Sequence, residues 1–407
     1  MPKQLMARST AIPRRPISKR DVQAAPGPRI LFFSGGTALR ETSRVLAGHT
    51  PHSIHLVTPF DSGGSSAVLR RYFRMPAVGD MRSRLMALAD CSRPEISAIC
   101  GMLSHRLPKE GDPEILHAEL ASLARGEHPL LAAVTGPANA RLRHLLGVFR
   151  EAGPDFDPRG ASLGNLVLTA AYLENGRRMD PATALYAGLV AARGDVRLML
   201  EDDLHLLGVL KNGQRILGQH LLTGKEVPPL TSPLRELHLV RPDEPARPVR
   251  PPAGEDILER IRSAHLICYP MGSFYSSLVA NLLPSGVGRA ISRTAAPKVF
   301  VPNTLPDSES IGLSLKGQTE VLLRHLRADA PQAIAPDDVL DYVLIDPNAA
   351  YPGCASPERE LNSLGVRVVV TPLTGAAGAV DPHLLCRALL ELAHSPAERT
   401  TPGSVPA

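Results

Sequence analysis

The stretch Ile30-Leu31-Phe32-Phe33-Ser34-Gly35-Gly36-Thr37 indicates the fold class of this 407-residue chain. Its four apolar residues predict a short buried strand, and good helix formers follow from Ala38. A buried strand that stops at two glycines and turns into a helix directs backbone N–H groups at a phosphate. The glycine pair alone is weak evidence, because it matches neither G-x-G-x-x-G nor G-x-x-x-x-G-K-[ST] and is more often a tight turn.

Two further polar segments follow the first one closely. The apolar run Ile54–Val57 predicts a second strand, which leads into Asp61-Ser62-Gly63-Gly64-Ser65. A third glycine-containing segment, Gly79-Asp80-Met81-Arg82, comes soon after. If these are three loops from adjacent parallel strands, they meet at the carboxyl edge of one sheet, where open α/β sheets bind ligands.

The remainder of the chain alternates between helical and strand patterns. Residues 84–195 read as mostly helical, Asn212-Gly213 predicts a hairpin, and the prolines of 242–252 predict an extended linker. Apolar runs near 265–269, 298–301, 342–345 and 366–370 predict four more strands. This alternation predicts an α/β fold with a mostly parallel sheet covered on both faces and a helical insertion at about 84–195.

The net charge of +5 lies in the first residues of the chain. Residues 1–27 contain six basic residues and one acidic residue, 6 − 1 = +5, so the other 380 residues carry 39 of each sign. We therefore expect a disordered, basic, proline-rich tail over 1–27, a folded domain over 28–395 and a flexible C-terminus over 396–407. The neutral domain, which lacks tryptophan, argues against nucleic-acid binding.

The chain's apolar and cysteine content predicts where the protein resides. No apolar stretch approaches the roughly 20 residues that span a bilayer, so we expect no membrane association. The five cysteines form no C-x-x-C pair, which suits a reduced cytoplasm.

Two acidic residues are the candidates for chemistry. Asp61 lies among glycines and serines after a strand, where a carboxylate can hold Mg²⁺ against a diphosphate. The alternative is that Asp61 caps its own turn, and the two interpretations stand about even. Asp80, with Arg82, is either part of the same site or a surface ion pair.

The loops together resemble the CofD/YvcK superfamily, which contains 2-phospho-L-lactate transferase and UDP-sugar-binding relatives. The resemblance covers about residues 29–395 and adds the motifs Ser162-Leu163-Gly164-Asn165-Leu166 and Gly272-Ser273-Phe274-Tyr275-Ser276-Ser277. The basic tail and Pro59-Phe60 resemble the CofD-like proteins of bacterial GAK gene clusters. The resemblance implies a Rossmann-like three-layer α/β/α domain that binds a GDP- or UDP-type ligand, with Mg²⁺ as the metal and a homodimer as one assembly.

The resemblance also implies roles for individual residues. Asp61 and Asp80 would be catalytic, with Asp61 as the metal ligand. The residues expected to bind the nucleotide or its phosphates are Gly35, Gly36, Thr37, Ser62, Gly63, Gly64, Ser65, Arg82, Asn165, Gly272, Ser273 and Asn303.

The chain departs from the family pattern in three loops. Ser62 stands where the family carries a second acid, Ala38 replaces the glycine that ends the first loop, and Pro270-Met271-Gly272-Ser273 stands in place of the usual Gly-Pro-Gly-Ser. Two functions compete: a transferase that moves a phosphate-linked group to a small acceptor, and a non-catalytic sensor of a nucleotide sugar. Ser62 favours the sensor, whereas the intact Asp80-Met81-Arg82 supports the transferase.

Overall fold

The computed structural model describes residues 27–394 except 225, 226, 352 and 355. The predicted tail, apart from Gly27, and the predicted C-terminal segment 396–407 lie outside the described residues. The strands are β1 (Ile30–Ser34), β2 (Ile54–Val57), β3 (Asp195–Leu198), β4 (His205–Leu210), β5 (Arg215–Leu217), β6 (Leu234–Val240), β7 (Pro248–Val249), β8 (Leu266–Tyr269), β9 (Lys298–Phe300), β10 (Tyr342–Ile345) and β11 (Arg367–Val370).

Helices connect and cover these strands. The α-helices are α1 (Arg40–Ala47), α2 (Gly64–Phe73), α3 (Gly79–Ala87), α4 (Pro94–Ser104), α5 (Pro113–Arg125), α6 (Gly136–Ala152), α7 (Leu163–Glu174), α8 (Met179–Leu189), α9 (Gln219–Thr223), α10 (Glu255–Arg262), α11 (Val287–Ser292), α12 (Leu315–Leu326), α13 (Pro336–Val339), α14 (Pro357–Asn362) and α15 (Pro382–His394). A π-helical turn at Phe274–Leu278 follows β8 and continues into a 3₁₀ turn.

A seven-stranded sheet forms the centre of the fold, in the order β11-β10-β9-β8-β1-β2-β3. Every neighbouring pair in it is parallel. The predicted α/β class and mostly parallel sheet are confirmed. Continuous apolar strands are typical of such sheets because both faces are covered.

Alternate residues of β1 pack into different cores on the two faces. Leu31 and Phe33 belong to a core that also contains residues of α10, α11, α12 and the smaller sheet. Ile30 and Phe32 point the other way, into a core with α1 and α15. This period-two alternation explains the Rossmann-like three-layer arrangement that we expected.

Helices α2–α8 lie between β2 and β3 in the chain. Helices α3–α8 contribute most of a third core, which includes Leu85, Leu145 and Leu166 and reaches the sheet at Val57, Val196 and Leu198. The helical segment predicted at about 84–195 contains helices α4–α8.

The predicted hairpin at Asn212-Gly213 is confirmed, since β4 and β5 pair antiparallel around it. These strands belong to a second sheet of order β5-β4-β6-β7. The proline-rich segment predicted as a linker contributes β7, which pairs with Leu239 and Val240 of β6. Proline is tolerated there because β7 lies at the edge of the sheet.

The prediction of three loops from three adjacent strands is wrong in its third member. Gly79–Arg82 is the first turn of α3, and the segment before it is helix α2 and a short connection rather than a strand. The strand that pairs with β2 on its other side is β3, more than a hundred residues later. An aspartate in a first helical turn interacts favourably with the helix dipole, which suits Asp80.

Among the described residues, we find no helix that is both long enough and apolar enough to cross a membrane.

Candidate functional site

The topology of the sheet creates a crevice between β1 and β8. From β1 the chain proceeds through β2 to β3 on one side, and from β8 it proceeds through β9 and β10 to β11 on the other. Ligands of open α/β sheets bind at such a reversal, outside the carboxyl ends of the strands. A cavity of about 210 Å³ lies there, lined by Ser34 at the end of β1, the loop 35–39 that follows it, and Pro270–Ser273 after β8, with Asp80 and Gln219. We call it the β1–β8 crevice.

Helix α3 fixes the direction of two peptide groups in the loop after β1. The carbonyl oxygen of Gly35 accepts a 2.8 Å hydrogen bond from Arg84 Nη2, and that of Gly36 accepts a 3.3 Å bond from Ser83 Oγ. Since these peptides are trans, their N–H groups, which belong to Gly36 and Thr37, point away from those side chains. Neither N–H donates to any described residue. Two successive free N–H groups suit an anion.

Glycine is required in this loop because its neighbours are close. A Cβ on Gly35 would lie 2.5 Å from Ser277 Oγ of the π-helical turn. A Cβ on Gly36 would lie 3.0 Å from Asp80 Cα. The glycine pair therefore allows the loop to pass between α3 and the turn after β8.

Arg84 is a buried cation beneath the loop that sequence reasoning missed. Its side chain is fully buried and also donates a 2.5 Å hydrogen bond to Ser43 Oγ. Burial lowers the pKa of Arg84 to about 10, while nearby Asp80 acts to raise it. Arg84 therefore remains charged at neutral pH and holds Gly35 in place.

Two acids organise the loop after β8. Asp307 accepts from the N–H of Phe274, and Glu309 accepts from those of Tyr275 and Ser276. Burial raises the pKa of Glu309 to about 7, with a further contribution from Asp307. The first N–H groups of this turn are thus occupied by protein carboxylates, so the free N–H groups after β1 are the better phosphate donors.

Gly272 and Ser273 line the crevice, whereas Asn303 supports them from outside it. Asn303 accepts from the N–H of Gly272 at 2.9 Å and donates to its carbonyl at 2.7 Å. Gly272 has a φ of +139°, which favours glycine.

Asp80 and Asp61 connect the segment after β2 with the first turn of α3. Asp80 lines the crevice, and its Oδ2 lies 3.4 Å from Thr58 Oγ1. Asp61 Oδ1 accepts a 3.1 Å hydrogen bond from Gly63 N–H, so the capping interpretation applies to this oxygen. Asp61 Oδ2 faces Gly79, the neighbour of Asp80, because a Cβ on that glycine would lie 2.6 Å from it.

The donor set fits Mg²⁺ only with help from a ligand. Among the described residues no group of three or more His, Cys, Asp or Glu side chains could hold a metal ion. Mg²⁺ ordinarily binds one or two carboxylates together with phosphate oxygens and water. Asp61 and Asp80 are therefore sufficient only if a bound diphosphate supplies further oxygens.

Ser62, where the resemblance implies a second acid, contacts helix α9. Its Oγ lies 2.8 Å from His220 Nδ1 and accepts a 3.1 Å hydrogen bond from His220 N–H. This contact places Gln219 of α9 at the β1–β8 crevice. Ser62 itself lines a different cavity, of about 850 Å³, which we call the Ser62 cavity.

The other predicted residues lie outside the β1–β8 crevice. Gly63 precedes α2 and Gly64 begins it, and Ser65 accepts at 3.3 Å from Ser162 N–H and at 3.4 Å from Asn165 Nδ2. Asn165 Oδ1 is buried and has no hydrogen-bond partner in the described part of the chain. Arg82 lines a third cavity, of about 410 Å³, between α1, α3 and α4, which we call the Arg82 cavity.

The crevice therefore brings together Gly35, Gly36, Thr37, Asp80, Gly272 and Ser273. Sequence reasoning missed Arg84, Ser277 and Gln219. Ser277 was within the quoted loop motif, and Arg84 followed the third motif by two residues. Nothing in the local sequence marked Gln219.

The fold and crevice define a Rossmann-like α/β protein with a candidate ligand site at its topological switch point. The family described as 2-phospho-L-lactate transferase CofD matches residues 30–373. This match covers most of the chain, and the chain belongs to the CofD family. The resemblance predicted from the loop motifs is confirmed.

Relatives with other names are also similar to this chain. A Nostoc sp. PCC 7120 protein named "Putative gluconeogenesis factor" is 28% identical over 279 residues, which cover 69% of this chain and 48% of that protein. The "Gluconeogenesis factor" of Bacillus subtilis is 24% identical over 301 residues, or 74% of this chain and 75% of that one. The chain thus spans about half of the Nostoc relative.

A solved structure supports the fold. The crystal structure of a UPF0052 family member from Bacillus halodurans matches with a TM-score of 0.66 and 20% identity, covering 90% of this chain and 100% of that one. At this level of identity the likeness shows the fold alone.

Proposed function

We propose that this protein binds a nucleoside-diphosphate-linked small molecule in the β1–β8 crevice. The observation that carries the proposal is the direction of two peptide groups. Arg84 and Ser83 hold the carbonyls of Gly35 and Gly36, and the N–H groups of Gly36 and Thr37 have no acceptor among the described residues. Such donors bind phosphate oxygens.

The N-terminus of α1 supports the same assignment. Its N-terminal flanking residue, Leu39, makes no side-chain cap hydrogen bond. A phosphate held by the preceding loop would interact favourably with the positive end of this helix dipole. The buried charge of Arg84 adds to the attraction from behind the loop.

Binding without turnover is the function we favour. In a sensor, Ser62 is free to hold α9 through His220 instead of carrying a second acid. Gln219 on that helix then contacts the part of the ligand beyond the phosphates. Helix α9 contacts β4 and β5, so it links the crevice to the four-stranded sheet.

A transferase is the second candidate, and Asp80 is the observation that favours it. This carboxylate lines the crevice next to the proposed phosphate donors, where it would bind a metal ion together with oxygens of a bound diphosphate. Asp61 and Asp80 would hold Mg²⁺ there, and the metal would neutralise charge on the diphosphate. Monophosphate would be released as an acceptor takes the transferred group.

The proposal is tested by calorimetry of the purified protein with GDP, UDP and a UDP-sugar, each with and without Mg²⁺. We expect at least one nucleoside diphosphate to bind with micromolar affinity. Absence of binding by all of them at millimolar concentration would overturn the proposal. Parallel measurement of nucleoside monophosphate release with candidate small-molecule acceptors separates the two functions, because a sensor releases none.

A further inference from the structure

Cys91 and Cys100 lie side by side at the Arg82 cavity, away from the β1–β8 crevice. Their sulfur atoms are 3.4 Å apart, and both residues line the cavity. Cys91 is exposed in the turn after α3, whereas Cys100 is buried on α4. From this geometry we propose that they form a redox-active dithiol that closes to a disulfide by exchange with an anionic low-molecular-weight disulfide.

The cavity has the charge that would attract such a reagent. Its lining contains Arg40, Arg44 and Arg82 and, within the described ranges, no acidic side chain. Arg44 pairs with Glu41, but Arg40 and Arg82 form no salt bridge with a described residue. Arg82 Nε is buried there and has no hydrogen-bond partner among the residues that the structure describes. A disulfide that carries carboxylates would bring its sulfur atoms to Cys91 by binding these cations.

The two cysteines would act in a defined order. Burial, with a contribution from Cys91, raises the pKa of Cys100 to about 12, so its thiolate is scarce. The exposed Cys91 thiolate attacks first, forms a mixed disulfide with one half of the reagent and releases the other half as a thiolate. Cys100 then loses its proton to water and attacks the Cys91 sulfur, which expels the second half. Two protein thiols and one disulfide become one protein disulfide and two small thiols.

The other cysteines provide controls. Cys268 and Cys386 are buried, and Cys354 is partly exposed but is not among the residues that line the Arg82 cavity. Only the Cys91–Cys100 pair is therefore expected to react by this route.

The experiment uses the reduced full-length protein and glutathione disulfide, followed by alkylation and peptide mass spectrometry. We expect Cys91 and Cys100 to escape alkylation together and their peptides to lose two mass units. Cys100→Ser should stop at a glutathione adduct on Cys91, Cys91→Ser should leave Cys100 alkylatable, and Cys354→Ser should react as the native protein does. Continued alkylation of both cysteines in the native protein, or no adduct in Cys100→Ser, would overturn the dithiol.

The role of the arginines is tested by reagents of different charge. Arg40→Gln should slow the reaction with glutathione disulfide about threefold, the size expected for one unit charge near an anion in water. Its rate with neutral bis(2-hydroxyethyl) disulfide should not change. Arg71→Gln removes the same charge at the Ser62 cavity and should affect neither rate. Equal slowing with both reagents would overturn the electrostatic attraction.

Discussion

At the scale of single residues, Gly36 tests the phosphate site. A Cβ at this position would press against Asp80 and displace the loop whose N–H groups we assign to the ligand. We expect Gly36→Ala to lower nucleotide affinity roughly 10- to 100-fold, the loss of about 1.5–3 kcal/mol that accompanies a hydrogen bond to a charged group. Calorimetry with the best nucleoside diphosphate measures the change.

The matched control is Gly147→Ala. Gly147 lies within α6, and a Cβ there meets no atom within 4 Å. This substitution should raise the free energy of unfolding by up to about 1 kcal/mol, because alanine favours helix, and leave affinity unchanged. Native affinity in a folded Gly36→Ala protein would exclude this loop as the phosphate site.

Substitution of Asp61 distinguishes a role as a metal ligand from a role as a turn cap alone. Asp61→Asn retains an Oδ1 that can accept from Gly63 N–H, so the turn should remain intact. If Asp61 contributes to Mg²⁺ binding, the gain in nucleotide affinity on adding Mg²⁺ should fall at least several-fold in the variant. Titrations with and without Mg²⁺, compared with the exposed control Asp202→Asn, give this ratio. An unchanged Mg²⁺ effect would leave Asp61 as a cap alone.

At the scale of elements, the π-helical turn after β8 depends on Glu309. Because burial raises the pKa of Glu309 to about 7, the folded protein keeps a proton that the unfolded chain loses near pH 4.5. The contribution of this group to the free energy of unfolding therefore falls as pH rises from about 4.5 to about 7. Below this window its contribution is constant.

Glu309→Gln should remove that dependence. A glutamine oxygen in place of Oε2 can still accept from Tyr275 and Ser276 N–H, and its NH₂ group can donate to Ser276 Oγ. The free energy of unfolding is measured with urea at pH 5 and at pH 7.5. The difference between the variant and the native protein should change in favour of the variant by about 1–3 kcal/mol between these pH values. Exposed Glu320→Gln should show no such gain. A difference that does not grow with pH would contradict the raised pKa.

Strands with a buried apolar run could be predicted from the sequence, and a very short helix could not. The strands β1, β2 and β8 are buried along their whole length, so their sequences lack the polar alternation of a half-exposed strand. Strands β10 and β11 consist largely of valine, leucine and isoleucine, although Val370 at the end of β11 is exposed. Helix α9 has five residues, too few to display a helical period, and it is held by the distant Ser62. Gly79–Arg82 resembled a strand-end loop because glycine and aspartate favour turns as well as first helical turns.

The residues of the candidate site also include some that could be predicted from the sequence and some that could not. Gly35, Gly36 and Thr37 could be identified locally because a strand, two glycines and a helix are consecutive in the chain. Arg84 and Gln219 could not, since their roles depend on which elements pack together. The position of β8 beside β1, which creates the crevice, depends on pairing between segments more than 200 residues apart.

At the scale of the whole molecule, charge is distributed unevenly along the chain. All six basic residues and the one acidic residue of the predicted tail lie within residues 1–26, so their deletion leaves 39 charges of each sign. A protein near zero net charge is prone to associate. We therefore expect the shortened protein to be less soluble than the full chain at neutral pH and low salt.

The same deletion tests whether the tail contributes to folding. The three cores are built from residues between Ile30 and Leu392. Deleting residues 1–26 should therefore leave the melting temperature within about 1 °C and unfolding as cooperative as before, while isoelectric focusing moves from a pI near 9.0 toward neutrality. Calorimetric melting of both proteins, together with nucleotide titrations, makes the comparison. A lower melting temperature would mean that the tail packs on the domain; unchanged melting with weaker nucleotide binding would instead mean that its positive charge attracts the anionic ligand.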